Sequence, residues 1–108
     1  YKPKGWQLKG KLTRENVLVE YHVEGEGGVY AANFSPKGDR VVIGSSDIVR
    51  GNGVIQVLSL TEKDEKGKPK VLVEYETRGL VLTANFSSEG NMIVIEGEGK
   101  VLVIGEKK

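Results

Sequence analysis

The residues able to carry acid–base chemistry are few, and their spacing does not assemble a catalytic group. The chain has one histidine, His22, which lies between Tyr21 and Val23 in a segment typical of a strand. A general base needs a nucleophile within hydrogen-bond reach and an acid that orients it, and the spacing around His22 offers neither. The sequence also lacks a Gly-x-Ser-x-Gly nucleophile elbow. We therefore expect a protein without enzymatic activity and without catalytic residues.

The candidates for metal and phosphate binding are equally weak. Glu24-x-Glu26 and Glu96-x-Glu98 are carboxylate pairs in glycine-rich turns, but Ca²⁺ takes about six to eight oxygen ligands and too few aspartates cluster nearby. The glycines around positions 25–28 and 51–53 are not followed by a predicted helix, whose N-terminus a phosphate cradle of the usual kind requires. The sequence therefore predicts no metal site and no cofactor.

Two features are candidates for contact with a partner. The segment 45–53 interrupts an otherwise regular pattern and contains Asp47, Arg50 and Asn52. Binding residues concentrate on loops held by a rigid scaffold; a simple hairpin extension is the alternative. Trp6 is the only tryptophan, and tryptophan is enriched at interaction hot spots; a core or capping role is the alternative.

Charge and hydropathy limit the classes of partner. The chain of 108 residues has 16 basic and 15 acidic side chains and a net charge of +1, which gives no reason to expect a nucleic acid partner. The Lys- and Glu-rich run 61–69 alternates in sign and predicts a solvated loop. Apolar runs reach only four residues, far short of a bilayer span, so we expect no membrane insertion. The sequence leaves the compartment open.

The elements that must position these residues are predicted to be strands. Short apolar runs rich in Val and Ile are broken by Gly, Asn, Ser and Pro at intervals of roughly ten residues, a pattern typical of all-β folds. We predict a weak first strand at 6–12. Strands are then expected at 17–23, 29–34, 40–44, 54–60, 70–76, 81–86, 92–96 and 100–104.

The order of these strands is a repeat. Val17-Leu18-Val19-Glu20-Tyr21 returns as residues 71–75, and Ala32-Asn33-Phe34-Ser35 returns as residues 84–87. A repeated unit of this kind seldom buries its apolar face alone. We therefore predict one β-repeat domain over 1–108, with repeat one at 17–60 and repeat two at 70–104. The core is expected to contain Phe34, Phe86, Ala32 and Ala84, and the middle strands are expected at 41–43 and 93–95.

Composition adds one expectation about stability. Val, Glu, Lys and Gly are abundant, whereas Met and His occur once each and Cys is absent. This pattern is typical of heat-adapted proteins, and a stable designed protein would have the same composition. We therefore expect a thermostable chain without disulfides.

The segment 29–47, which contains Phe34-Ser35-Pro36-Lys37-Gly38-Asp39 and then Gly44-Ser45-Ser46-Asp47, resembles the first half of a WD-repeat blade. The segment 82–91 is similar to it. The Trp-Asp of that family is replaced by Leu58-Ser59 and by Ile104-Gly105, and its Gly-His is missing, so the resemblance implies propeller-like blades without the family's buried His–Ser–Asp–Trp network. The fold class that we expect is all-β with two propeller-type four-stranded antiparallel units; a small two-sheet β-sandwich is the alternative.

The resemblance also implies a function. Residues 29–76 correspond to one whole blade and residues 81–104 to three strands of a second, which 17–23 of a neighbouring subunit would complete. We expect a non-enzymatic scaffold or protein-interaction module that self-assembles or binds another protein. Two alternatives stay open: a piece of a larger propeller whose ligand or active site lies outside this chain, and an extracellular fibre or surface-layer subunit.

Overall fold

The computed structural model describes residues 10–23 and 27–105, and it confirms the all-β class. Seven strands form two antiparallel sheets, a first sheet of four strands and a second sheet of three, and in each sheet the strands lie side by side in chain order. Apart from one short 3-10 turn at Arg14–Asn16, the described residues contain no helix. The strands are β1 Gly28–Phe34, β2 Arg40–Asp47, β3 Asn52–Lys63, β4 Pro69–Thr77, β5 Thr83–Phe86, β6 Met92–Gly97 and β7 Lys100–Gly105.

The first turn of each sheet is built the same way. Ser35 accepts at its Oγ from the N–H of Arg40 at 3.1 Å and donates to Asp39 Oδ1 at 3.0 Å. Ser87 makes the same two hydrogen bonds, with the N–H of Met92 at 3.2 Å and with Asn91 Oδ1 at 3.1 Å. The glycines of the two turns have φ values of 75° and 76°, which a residue without Cβ adopts at little cost. The two repeats therefore close this turn with the same pair of side-chain hydrogen bonds.

Three predicted elements differ from the structure. Residues 17–23 form no strand, although their sequence copies part of β4, and the second sheet therefore has three strands. The weak strand 6–12 falls mostly outside the described residues, and Gly10 to Leu12 belong to no strand. The predicted loop 61–69 is shorter than expected, because β3 continues to Lys63 and β4 begins at Pro69.

The core lies between the two sheets. Its buried side chains come from one face of the first sheet and one face of the second, and burying each large apolar side chain contributes about 1.5–3 kcal/mol. They are Ala31, Val42, Ile55, Val57, Val81, Ala84, Ile93 and Ile95. Phe86 packs against this cluster, so Ala84 and Phe86 are confirmed as core. The prediction is wrong for Ala32 and Phe34, which lie on the opposite face of the first sheet and are exposed, Phe34 by 65%.

Val81 joins the two sheets. Ser46 Oγ donates to the Val81 carbonyl at 2.9 Å and accepts from the Val81 N–H at 2.8 Å, so both polar groups of that peptide are satisfied by one side chain. A Cβ at Gly44 would lie 2.7 Å from Val81 Cγ1, and a Cβ at Gly53 would lie 2.7 Å from Val81 Cγ2. The valine therefore fills space that two glycines leave open. Close by, Asn33 donates to the carbonyl of Ala84 at 2.6 Å.

We predict that Gly44→Ala destabilises the fold by about 1–3 kcal/mol, the usual cost of overpacking a tight core. The added methyl would meet Val81, whose short branched side chain cannot move aside. Gly28→Ala is the matched control, because its Cβ would meet nothing closer than 3.7 Å. Urea unfolding at fixed protein concentration measures both; equal stabilities for the two variants would contradict the role of Gly44.

Candidate functional site

The hairpin between β2 and β3 holds three of the four residues predicted to contact a partner. Asp47 ends β2, Arg50 lies in the turn and Asn52 begins β3. Asp47 Oδ1 accepts from the N–H groups of Val49 at 3.0 Å and of Arg50 at 3.1 Å, and the Asp47 carbonyl accepts from the N–H of Gly51 at 2.8 Å. Asp47 therefore fixes the turn as an aspartate commonly does.

The remaining polar groups of this hairpin face a shallow cleft of about 210 Å³. Asn52 Nδ2 donates to Glu76 Oε1 on β4 at 2.9 Å. Arg50 Nε lies 3.9 Å from Asp47 Oδ2, and the Arg50 side chain is 80% exposed. Exposed ion pairs of this kind contribute about 0–1 kcal/mol, so the guanidinium is free to turn towards an acidic partner.

The carboxylates of this cleft already have hydrogen-bond donors. Asp47 accepts from two backbone N–H groups, and Glu76 accepts from the amide of Asn52. Over residues 10–23 and 27–105, no three or more His, Asp or Glu side chains gather in a way that would hold a metal ion. The fourth predicted contact, Trp6, lies outside the described residues. That these four residues contact a partner stays a prediction.

Glu76 belongs to the same cleft, and sequence reasoning missed it. It lies 24 residues from Asn52, and only the pairing of β3 with β4 brings the two together. No local signal in the sequence identifies it, because Glu76 follows an ordinary strand pattern.

The segment 17–23 lies beside β3 and β4 without joining the sheet. Tyr21, His22 and Val23 share a cleft of about 470 Å³ with Val54 and Gln56 of β3. His22 Nε2 lies 2.6 Å from Glu20 Oε2, so the only histidine is engaged with an exposed acid.

Arg14 also pairs with Glu20. The Arg14 guanidinium, and then the hydrogen bond from His22, keep the pKa of Glu20 below its usual value. All three side chains are well exposed and lie within residues 14–22, so these contacts join the segment to the turn before it and not to the sheets.

Several apolar side chains on the strands are exposed to solvent. Phe34, Val101 and Val103 are 65%, 66% and 64% exposed, although each belongs to a strand. On β4, Val73 and Tyr75 are 40% and 45% exposed, whereas their partners across the strand, Val57 and Ile55, are 2% and 0% exposed. These side chains lie in three places, on β1, on β4 and on β7. Exposed apolar groups at alternate positions of a strand are typical of interaction surfaces in folded proteins.

Comparisons with protein-family models, with curated proteins and with solved structures give no match. In the part of the chain that the structure describes, no helix has the length and apolar character needed to cross a membrane. The function must therefore be argued from the surfaces of this chain alone.

We predict that Asp47→Ala destabilises the chain by about 1–2 kcal/mol, because two backbone donors of the turn lose their acceptor. Asp47→Asn keeps an acceptor oxygen and should be nearly neutral. Arg50→Ala removes only the long, exposed ion pair and should change the free energy of unfolding by less than about 0.5 kcal/mol. Thermal unfolding of the three variants gives the order, and a loss in Arg50→Ala as large as that in Asp47→Ala would contradict it.

Proposed function

We propose that this protein is a non-enzymatic, propeller-like scaffold module that assembles with copies of itself. In the proposed assembly, residues 17–23 of one copy form the outer strand of the three-stranded sheet of a neighbouring copy. One observation carries the proposal: residues 17–21 repeat the sequence of residues 71–75, which form part of strand β4, yet they belong to no strand in the single chain.

The chain supplies its own template for this strand. In the first sheet β4 pairs with β3, with Tyr75 opposite Ile55 and Val73 opposite Val57. In the second sheet β7 occupies the place of β3, because Val57 pairs with Val42 just as Val103 pairs with Val94. The outer edge of β7 carries no strand among the described residues. Transfer of the β4 register to β7 sets Tyr21 opposite Val101 and Val19 opposite Val103.

The unequal widths of the two sheets support the same proposal. Ile55 and Val57 of β3 are covered by the second sheet, but Tyr75 and Val73 beside them on β4 are not. Tyr75 instead borders an open cleft of about 230 Å³ together with Leu102 of β7. A fourth strand next to β7 would extend the second sheet over these two side chains and fill the cleft.

An unpaired strand edge also makes this contact chemically favourable. The edge of β7 presents backbone N–H and C=O groups, and an added strand satisfies them while its alternate side chains meet the two faces. The segment 17–23 contacts the first sheet through the half-buried Tyr21 and Val23, which border two clefts beside β3 and β4, but it pairs with no strand. Its transfer to a neighbour therefore breaks no strand pairing in the single chain.

A piece of a larger propeller is the second candidate, because the same exposed edge and apolar faces would be covered by strands of a longer chain. The two candidates differ in how the isolated chain behaves. A self-assembling module gives one defined oligomer, whereas a piece of a larger ring gives polydisperse aggregates or a lone chain.

We predict that Val19→Pro abolishes assembly while the chain stays folded. Proline has no backbone N–H and fixes φ at about −65°, which destabilises an extended strand that must pair with β7, whereas residue 19 is in no strand in the single chain. Light scattering across a dilution series should give one stable oligomer for the unaltered chain and a single-chain mass for the variant.

Lys11→Pro is the matched control, since it adds a proline at an exposed, non-strand position outside the transferred segment. It should assemble as the unaltered chain does. A Val19→Pro variant that assembles normally would contradict the strand transfer, and a single-chain mass for the unaltered protein at every concentration would contradict self-assembly itself.

A further inference from the structure

The two sheets of the chain meet through unlike faces. The first sheet contributes Asn33, Val42, Ile55 and Val57 to the junction, with Ala31 at its side. The second sheet contributes Ala84, Phe86, Ile93, Ile95 and Ile104. Each sheet therefore has a second face, its free face, that packs against no other sheet in the described part of the chain. The free face of the first sheet is already partly covered, because Ile43 and Leu58 on it are only 8% and 3% exposed. The two free faces are different in composition.

The strand registers show how the free faces relate to the joined ones. Ala32 pairs with Ile43 in the first sheet as Ala84 pairs with Ile95 in the second, so both strands are shifted by the same 52 residues. Neighbouring residues in a strand point to opposite faces. The free face of the first sheet is therefore a copy of the face that the second sheet buries: Ala32, Phe34, Val41, Ile43 and Leu58 stand for Ala84, Phe86, Ile93, Ile95 and Ile104.

The free face of the second sheet is likewise a copy of the face that the first sheet buries. Val94 and Val103 pair with each other as Val42 and Val57 do. Asn85 occupies the position in the second sheet that Asn33 has in the first. Val101 stands for Ile55 by the same alignment. The chain thus carries, on its two free faces, both halves of a junction that it already makes internally.

We propose that the free face of the second sheet of one copy packs on the free face of the first sheet of the next copy, repeating the internal junction. This inference deepens the proposed self-assembly and rests on it. Asn85 of one copy would donate to the Ala32 carbonyl of the next, as Asn33 donates to the Ala84 carbonyl. Phe34, Val101 and Val103 would be buried by this contact.

The strand transfer and the face packing occur at the same junction. Within the chain, β4 is the outer strand of the first sheet and leads directly into β5, the first strand of the second. Residues 17–23 lead into β1 in the same way. A copy that places its 17–23 segment on the β7 of a neighbour therefore brings its own first sheet against the second sheet of that neighbour.

Transfer of the segment also clears part of the face. In the single chain, Tyr21, His22 and Val23 share a cleft with Val54 and Gln56. Gln56 lies opposite Ile43, which belongs to the free face of the first sheet. When the segment moves to the neighbouring copy, this part of the face is uncovered. The second sheet of the neighbouring copy then covers it.

One position departs from the repeat. In the second sheet, Glu96 occupies the position that Gly44 has in the first sheet. Gly44 leaves room for Val81 because it has no Cβ. The counterpart of Val81 in the next copy is Val29. A glutamate at this point requires the junction between copies to be wider there than the internal one.

An interface between unlike faces is heterologous, so each copy can bind one neighbour at each side. Sheets joined in this way close into rings of roughly four to eight blades in propellers, which corresponds to about two to four copies. Because each copy uses two different faces, a change in one face should block binding at that side only. Strand transfer alone does not predict this result.

The test combines two full-length variants, Phe34→Glu and Val103→Glu, each of which alters one free face. Both side chains are largely exposed in the single chain, so the fold should tolerate the change, whereas packing would bury a carboxylate without a partner. Each variant alone should need about tenfold or more higher concentration to assemble. Mixed in equal amounts, the two should form a complex of two chains and grow no further, because one intact junction remains.

Val49→Glu is the matched control, because Val49 is 79% exposed in the β2–β3 turn and belongs to neither face. It should assemble as the unaltered chain does. Normal assembly of both face variants, or a mixture that contains only single chains, would overturn the face packing. If Val19→Pro still prevents assembly in that case, the proposed function stands without it; a single-chain mass for the unaltered protein would end both.

Discussion

The close approach of the two sheets at Val81 is the constraint on which the rest of the structure depends. Ser46 satisfies both the N–H and the carbonyl of Val81, so this peptide is fully hydrogen-bonded away from either sheet ladder. The valine side chain can sit there only because Gly44 and Gly53 have no Cβ. Once this contact is made, the face of the first sheet that becomes core is decided, and so is the face of the second sheet that meets it.

That choice of faces explains where sequence reasoning succeeds and where it fails. Turns and strands follow local rules, so the Ser35 and Ser87 turns and the middle strands β2 and β6 could be predicted from residue types. The faces of a strand are decided by what packs against them. Phe34 and Phe86 occupy equivalent places in the repeat, yet Phe86 packs on the core and Phe34 is 65% exposed. The Phe86 face of the second sheet packs against the first sheet, whereas no sheet in the described part of the chain packs over Phe34.

The segment 17–23 illustrates the same limit in a stronger form. Its sequence has the alternation and the β-branched residues of a strand, and five of its residues are identical to residues of β4. A strand needs an edge to pair with, and in the single chain this segment lies beside β3 and β4 without pairing with either. The candidate site behaves similarly: Asp47, Arg50 and Asn52 are close in sequence and could be predicted, whereas Glu76 comes to Asn52 only through strand pairing.

The segment 17–23, which joins no sheet, and the second sheet, which has one strand fewer than the first, are related features of the chain. The chain contains enough strand-forming sequence for two four-stranded sheets, but in the single chain one sheet is a strand short while a matching segment is left beside the other. A sheet that ends in an unpaired edge exposes polar backbone groups and invites another strand. The apolar side chains that remain uncovered, Tyr75 and Val73 on one side and Val101 and Val103 on the other, lie where a neighbouring copy would supply that strand and its sheet. In the assembly that we propose, the sequence identity between residues 17–21 and part of β4 supports a second copy of this chain as the partner for both the edge and the faces.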